Sequence, residues 1–145
     1  MATMTVHQWS DVDRGLREMR RVSRGPVVVL TLDAQALRQF WLTDYIPEVI
    51  AVEEARFPPP DQVTDTLARG SADVRVDVVP VPKDCTDGFG EAFYARPEAF
   101  LQPQVRAATS GLVLTDPGAT QRGIDRLEKD LASGAWDQKY GHLRT

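Results

Sequence analysis

The feature that most limits the fold is the run Val27-Val28-Val29-Leu30-Thr31-Leu32, which follows Arg24-Gly25-Pro26 without a spacer. Six mostly apolar, β-rich residues with no polar alternation read as a strand buried on both faces. Gly25 stands where a helix takes its C-cap, and Pro26 prevents the helix from continuing. Upstream, Val12, Leu16, Met19 and Val22 recur at helical spacing, and Ser10 offers an N-cap with Asp13 three positions on, so a helix is expected from about 11 to 23. Residues 2 to 6 are small or β-branched and suit a short strand. Strand, helix and strand in this order make a right-handed βαβ crossover with parallel strands. In doubly wound α/β sheets the ligand lies across the carboxyl ends of the strands, which places Thr5-Val6-His7-Gln8-Trp9 at that edge.

Beyond Asp33 the pattern turns to aromatic-rich helical pieces, with Leu37, Phe40, Trp41, Leu42, Tyr45 and Ile46 ahead of Pro47. Helix resumes from Glu48 to about Arg56, and Pro58-Pro59-Pro60 forms a stiff loop before a short helix from Asp61 to Ala68, capped by Gly70. Val74, Val76, Val78 and Val79 enclose Arg75 and Asp77, a pattern that predicts a strand over 73–80 with one polar face. Helical segments are expected at about 89–95 and 97–109, and a final helix runs from near Asp116-Pro117 to Gly134 with Ile124, Leu127 and Leu131 on one face.

The 145 residues suffice for one ordinary domain, and a net charge of -4 argues against a nucleic-acid partner, which needs a concentrated basic face. Arg14, Arg17, Arg20, Arg21 and Arg24 fall on the solvated side of the first helix rather than forming such a face. Cys85 is the single cysteine, so no intrachain disulfide forms and a reducing compartment fits. No apolar run reaches the ~18 residues of a membrane span, and a cytoplasmic protein without a membrane partner is expected.

The chemistry-bearing residues are few. Gly88-Phe89-Gly90 lacks the third glycine of a dinucleotide fingerprint and reads as a turn. Asp84, Cys85 and Asp87 match no metal-ligand spacing, and no metal is expected. His7 stands where a parallel strand delivers its last side chains to a crevice and is the candidate general base, although a hydrogen-bonded loop histidine accounts for the same spacing better. His142 lies in a polar tail and reads as solvated. Asp33 ends the second strand at the same edge and either faces the cavity or caps the next helix. Trp9, Trp41 and Tyr45 are candidates to line an apolar pocket there, with core packing as the alternative.

These segments, in their order, resemble the class I S-adenosylmethionine-dependent methyltransferases of the type 11 branch. The resemblance runs through Thr5-Val6-His7-Gln8-Trp9, Val27 to Asp33, Phe40-Trp41-Leu42, Asp44-Tyr45-Ile46-Pro47-Glu48, Asp84-Cys85-Thr86-Asp87-Gly88-Phe89, Ala92 to Leu101, and Arg126 to Trp136, nearly the whole chain. It implies a partial doubly wound, Rossmann-like α/β sheet, the equivalents of strands four to six, with a helical cap. It implies S-adenosyl-L-methionine as cofactor and methyl transfer to a small molecule. Gln8 and Trp9 would contact the cofactor, His7 would be the base, and Asp33, Trp41 and Tyr45 would border the substrate pocket.

The family's cofactor-binding Gly-rich loop would precede residue 1, and its last antiparallel strand would follow Thr145, so the chain is expected to be the C-terminal part of such a domain, with self-association through exposed strand edges. Two other classes are consistent with the residues. One is a non-catalytic small-molecule-binding or interaction protein that binds an apolar ligand without cofactor, and the other is a gene fragment without function of its own.

Overall fold

A computed structural model describes residues 1–69 and 73–145, so the expected cap at Gly70 lies outside the described residues. The chain forms two compact units, one from Met1–Ala36 and Glu53–Val78, the other from Leu37–Val52 and Val79–Thr145. No helix among the described residues is long and apolar enough to cross a membrane.

In the first unit, strand β1 (Ala2–Thr3) pairs in parallel with β2 (Val29–Leu30), with Ala2 opposite Val29 and Thr3 opposite Leu30. Between them runs helix α1 (Val12–Val22), as its periodicity requires. Its cap is Asp11 rather than the expected Ser10. The Asp11 carboxylate accepts from the Arg14 backbone N–H at 2.8 Å, so the side chain closest to the orphan amides takes them. Asp13, released from capping, accepts instead from Gln62 Nε2 at 2.9 Å and Thr66 Oγ1 at 3.2 Å on helix α3 (Pro60–Ala68). The Gln62 bond leads the causes that hold the Asp13 carboxyl below its ordinary value. Ala2, Val6, Leu16 and Val63 form the core of this unit, with Trp9, Val12, Met19, Val29 and Leu67 packed around them. The five arginines of the 14–24 segment are all exposed.

Two expected strands are corrected. The run 27–32 is not buried on both faces: only Val29–Leu30 pairs, while Val28 is 53% and Leu30 37% exposed. Among the described residues β1 is the one strand that meets it, and an apolar run buries both faces only when layers cover both. Over 73–80 no strand forms among the described residues, and Val76, Val78 and Val79 are exposed. Alternation marks two faces, but it makes a strand only where a neighbour accepts the ladder hydrogen bonds. The Rossmann-like sheet is therefore represented here by two parallel strands in a mostly helical chain.

The second unit is built on helix α6 (Pro117–Ser133), capped by Asp116, whose carboxylate accepts from the Ala119 N–H at 2.8 Å. Gly134 closes it at φ 79°, a left-handed conformation that glycine adopts without a Cβ penalty. Helix α7 (Ala135–Tyr140) follows, and helices α4 (Pro103–Ala108) and α5 (Ser110–Leu114) precede. The expected helical stretches at 89–95 and 97–109 are realised as 3-10 turns over Gly90–Phe93 and Pro97–Leu101, then α4. Helix α2 (Glu48–Arg56) matches its expected bounds, and the boundary between the units falls within it. The core is aromatic: Trp41 meets Phe100, Trp136 and Tyr45 edge-on, with centroids 5.6, 5.5 and 6.0 Å away.

Candidate functional site

β1 is followed by Met4, whose N–H still donates to the Leu30 carbonyl at 2.8 Å but whose φ of 49° turns the chain out of the sheet. A left-handed methionine is strained, and such strain gathers at functional sites. The turn feeds the 3-10 segment Val6–Gln8, with Val6 fully buried, so the loop is anchored from below while His7 is half-buried and Gln8 exposed. This is the carboxyl edge of the parallel pair, where the expected ligand side lies.

His7 stacks on Phe57, ring centroids 4.2 Å apart and planes 30° from parallel. Arg56 lies over the other ring of that pair, its guanidinium carbon 5.8 Å from the Phe57 centroid. Burial first, and then the Arg56 charge, hold the His7 imidazole below its ordinary pKa, so the neutral ring is favoured. The His7 Nδ1 is buried with no hydrogen-bond partner among the described residues. Thr31, one residue past β2, likewise buries its hydroxyl oxygen without a partner. Both atoms lie at the carboxyl edge of the parallel pair. Glu53 completes the cluster: its buried carboxylate receives Arg56 Nη1 at 3.3 Å, and desolvation raises its pKa against the pull of that arginine.

The other expected site residues are placed as follows. Trp9 rests on helix α1, against Gly15, where a Cβ would come within 2.3 Å of its ring carbon Cε3. Asp33 is exposed, and its Oδ1 accepts from the Gln35 N–H at 3.0 Å, within the turn that leads into the 36–39 segment, where the sequence offers it as the cap of the next helix. Trp41 and Tyr45 belong to the second unit, both buried; Trp41 Nε1 donates to the Tyr94 carbonyl at 2.8 Å, and the Tyr45 hydroxyl donates to Asp130 Oδ2 at 2.8 Å. His142 is exposed. Phe57, Arg56 and Glu53 were not singled out from the sequence. They stand some fifty positions from His7, and the one local signal was the proline run after Phe57, which fixes the chain there.

The fit of Trp9 on Gly15 is testable. Gly15→Ala gains helix propensity but drives a methyl into the indole, so a net loss of about 1–2 kcal/mol is expected. The Trp9 indole N–H resonance is expected to shift with it; an unmoved resonance in a more stable variant would show that the ring does not lie there.

In the first unit, then, an imidazole whose pKa is lowered by burial, an exposed amide and a partly exposed indole follow one another in sequence after one strand. These groups donate hydrogen bonds and offer aromatic surface, which suits a planar, polar organic ligand. No protein-family model and no curated protein matches the chain. Among solved structures it is similar to one from Anabaena variabilis ATCC 29413, described as a "Putative methyltransferase from antibiotic biosynthesis pathway", with 33% sequence identity and a TM-score of 0.82. The similarity covers 96% of this chain and 57% of that one, so the chain spans a little over half the length of its structural relative and has a methyltransferase fold over that span.

Proposed function

We propose that the chain contributes to an S-adenosyl-L-methionine-dependent methyltransferase acting on a small molecule. The observation that carries this reading is the similarity to the Anabaena protein, sustained at 33% identity across 96% of the chain. The residues at the β1 edge fit the cofactor in type. Gln8 presents an amide, Trp9 an indole face and Thr31 an unpartnered hydroxyl that a bound polar molecule would answer. When bound, the cofactor supplies an electrophilic methyl group on a sulfonium. The work of this chain is to hold and orient, since in-line transfer depends on the alignment of two reactants. Val6, fully buried, and Phe57, stacked on His7, fix the loop from beneath and beside it.

Calorimetric titration of the protein with S-adenosylmethionine is expected to give saturable binding, weakened by Gln8→Ala and by Trp9→Ala. Absence of heat at millimolar cofactor, with the fold confirmed by circular dichroism, would sink the proposal.

A further inference from the structure

The structure assigns His7 the role of a neutral hydrogen-bond donor through Nε2–H, rather than that of a base; the inference rests on the methyl-transfer reading above. Nδ1 is the buried nitrogen, and it has no acceptor among the described residues. A proton there would be a buried N–H without a partner, whereas a bare Nδ1 leaves only a lone pair unmatched, the lesser penalty. The proton of the neutral ring therefore sits on Nε2, the nitrogen left to meet a ligand. A base acting through Nε2 would have to become an imidazolium, with Nδ1–H forced into the same unpartnered position.

The surroundings oppose that charge as well. Phe57, stacked at 4.2 Å, only fixes the ring plane; the opposition comes from Arg56, whose guanidinium lies beside the pair. Glu53 is the carboxylate of this cluster, and it faces Arg56, which receives its charge. A donor at Nε2 suits a methyl acceptor or neighbouring group with a carbonyl or ionised oxygen. An acceptor that arrives ionised would need no base: His7 Nε2–H would hold its oxygen, whose pair would form the bond to the methyl carbon while the carbon–sulfur pair stayed with sulfur, leaving both products neutral at the reacting atoms.

Two measurements decide it. Nitrogen-15 NMR of the labelled protein is expected to show His7 as the neutral Nε2–H tautomer at neutral pH, and a pyrrole-like Nδ1 or an imidazolium would overturn the inference. His7→Gln carries an amide N–H to about the place of Nε2 and is expected to lose no more than about tenfold in kcat/KM, while His7→Ala loses more. A loss in His7→Gln as large as in His7→Ala, on the order of 100-fold as for removal of a general base, would overturn it too. Absence of cofactor binding would remove the methyl-transfer reading while the tautomer remained measurable, so the two failures are distinct.

Discussion

Trp41→Ala is expected to destabilise the second unit by about 4 kcal/mol, within the range measured for buried tryptophan truncations. Trp41 is 2% exposed and packs on four rings, those of Phe40, Tyr45, Phe100 and Trp136. Three of those contacts are near-perpendicular, the geometry in which ring edges meet ring faces favourably. Alanine would leave a cavity among large, stiff side chains that collapse poorly, and it would remove the Nε1 donor from the Tyr94 carbonyl, 2.8 Å away. Against a whole-domain stability of roughly 5–15 kcal/mol, that loss should be visible as an early unfolding transition in urea. Trp41→Phe keeps a ring in the cluster and is expected to cost less than half as much. The sequence also nominated Trp41 for the substrate pocket, and the same pair of variants separates the roles. A Trp41→Phe protein with unchanged stability but weakened ligand binding would make it a binding residue instead of a core one.

What the sequence revealed divides along physical lines. Helices α2 and α6 were legible from their own signals, Pro47 before α2 and Asp116-Pro117 and Gly134 around α6, and α1 from its helical periodicity, although it closes at Ser23 rather than at the expected cap Gly25. The parallel pairing of residues near 2 and 29 followed from the helix between them. Strand lengths were not legible. Val27–Leu32 and the valines of 73–80 have the composition of strands, but a strand is completed by neighbours, and composition says nothing of how many there are. The site was read half-way for a related reason. His7, Gln8 and Trp9 announced themselves by residue type and by position after β1, whereas Phe57 reaches His7 through a contact that only folding makes; the Glu53–Arg56 pair has a local i,i+3 spacing on α2, but nothing in that spacing ties it to His7. The choice of Asp11 over Ser10 as cap shows the same thing at short range: both residues suit the role, and one residue of register decides which side chain reaches the free amides.

Gly123→Ala is expected to cost about 2–3 kcal/mol even though alanine is the better helix former by about 1 kcal/mol. Gly123 lies in the middle of α6, where a Cβ would stand 2.3 Å from Ile46 Cγ1 and 2.5 Å from the Tyr45 carbonyl oxygen. Neither neighbour can retreat. Ile46 is fully buried, and the Tyr45 backbone is held from α6 itself, where Arg126 Nη2 donates to its carbonyl at 2.6 Å. The Tyr45 side chain is fixed to the same helix through Asp130, so relief would require the helix and the 45–46 segment to separate and to surrender those bonds together. Gly118→Ala is the control within the same helix. There the added methyl meets the tip of Arg122, which can swing away, and the capping Oδ1 of Asp116, both at 3.2 Å; the helix propensity gained offsets a slight loosening of that cap, and the change in stability should stay within ~0.5 kcal/mol. Thermal unfolding of the two variants side by side isolates the contact from the propensity. If Gly123→Ala melts at or above the parent temperature, α6 does not approach Tyr45 and Ile46 as closely as this structure has it.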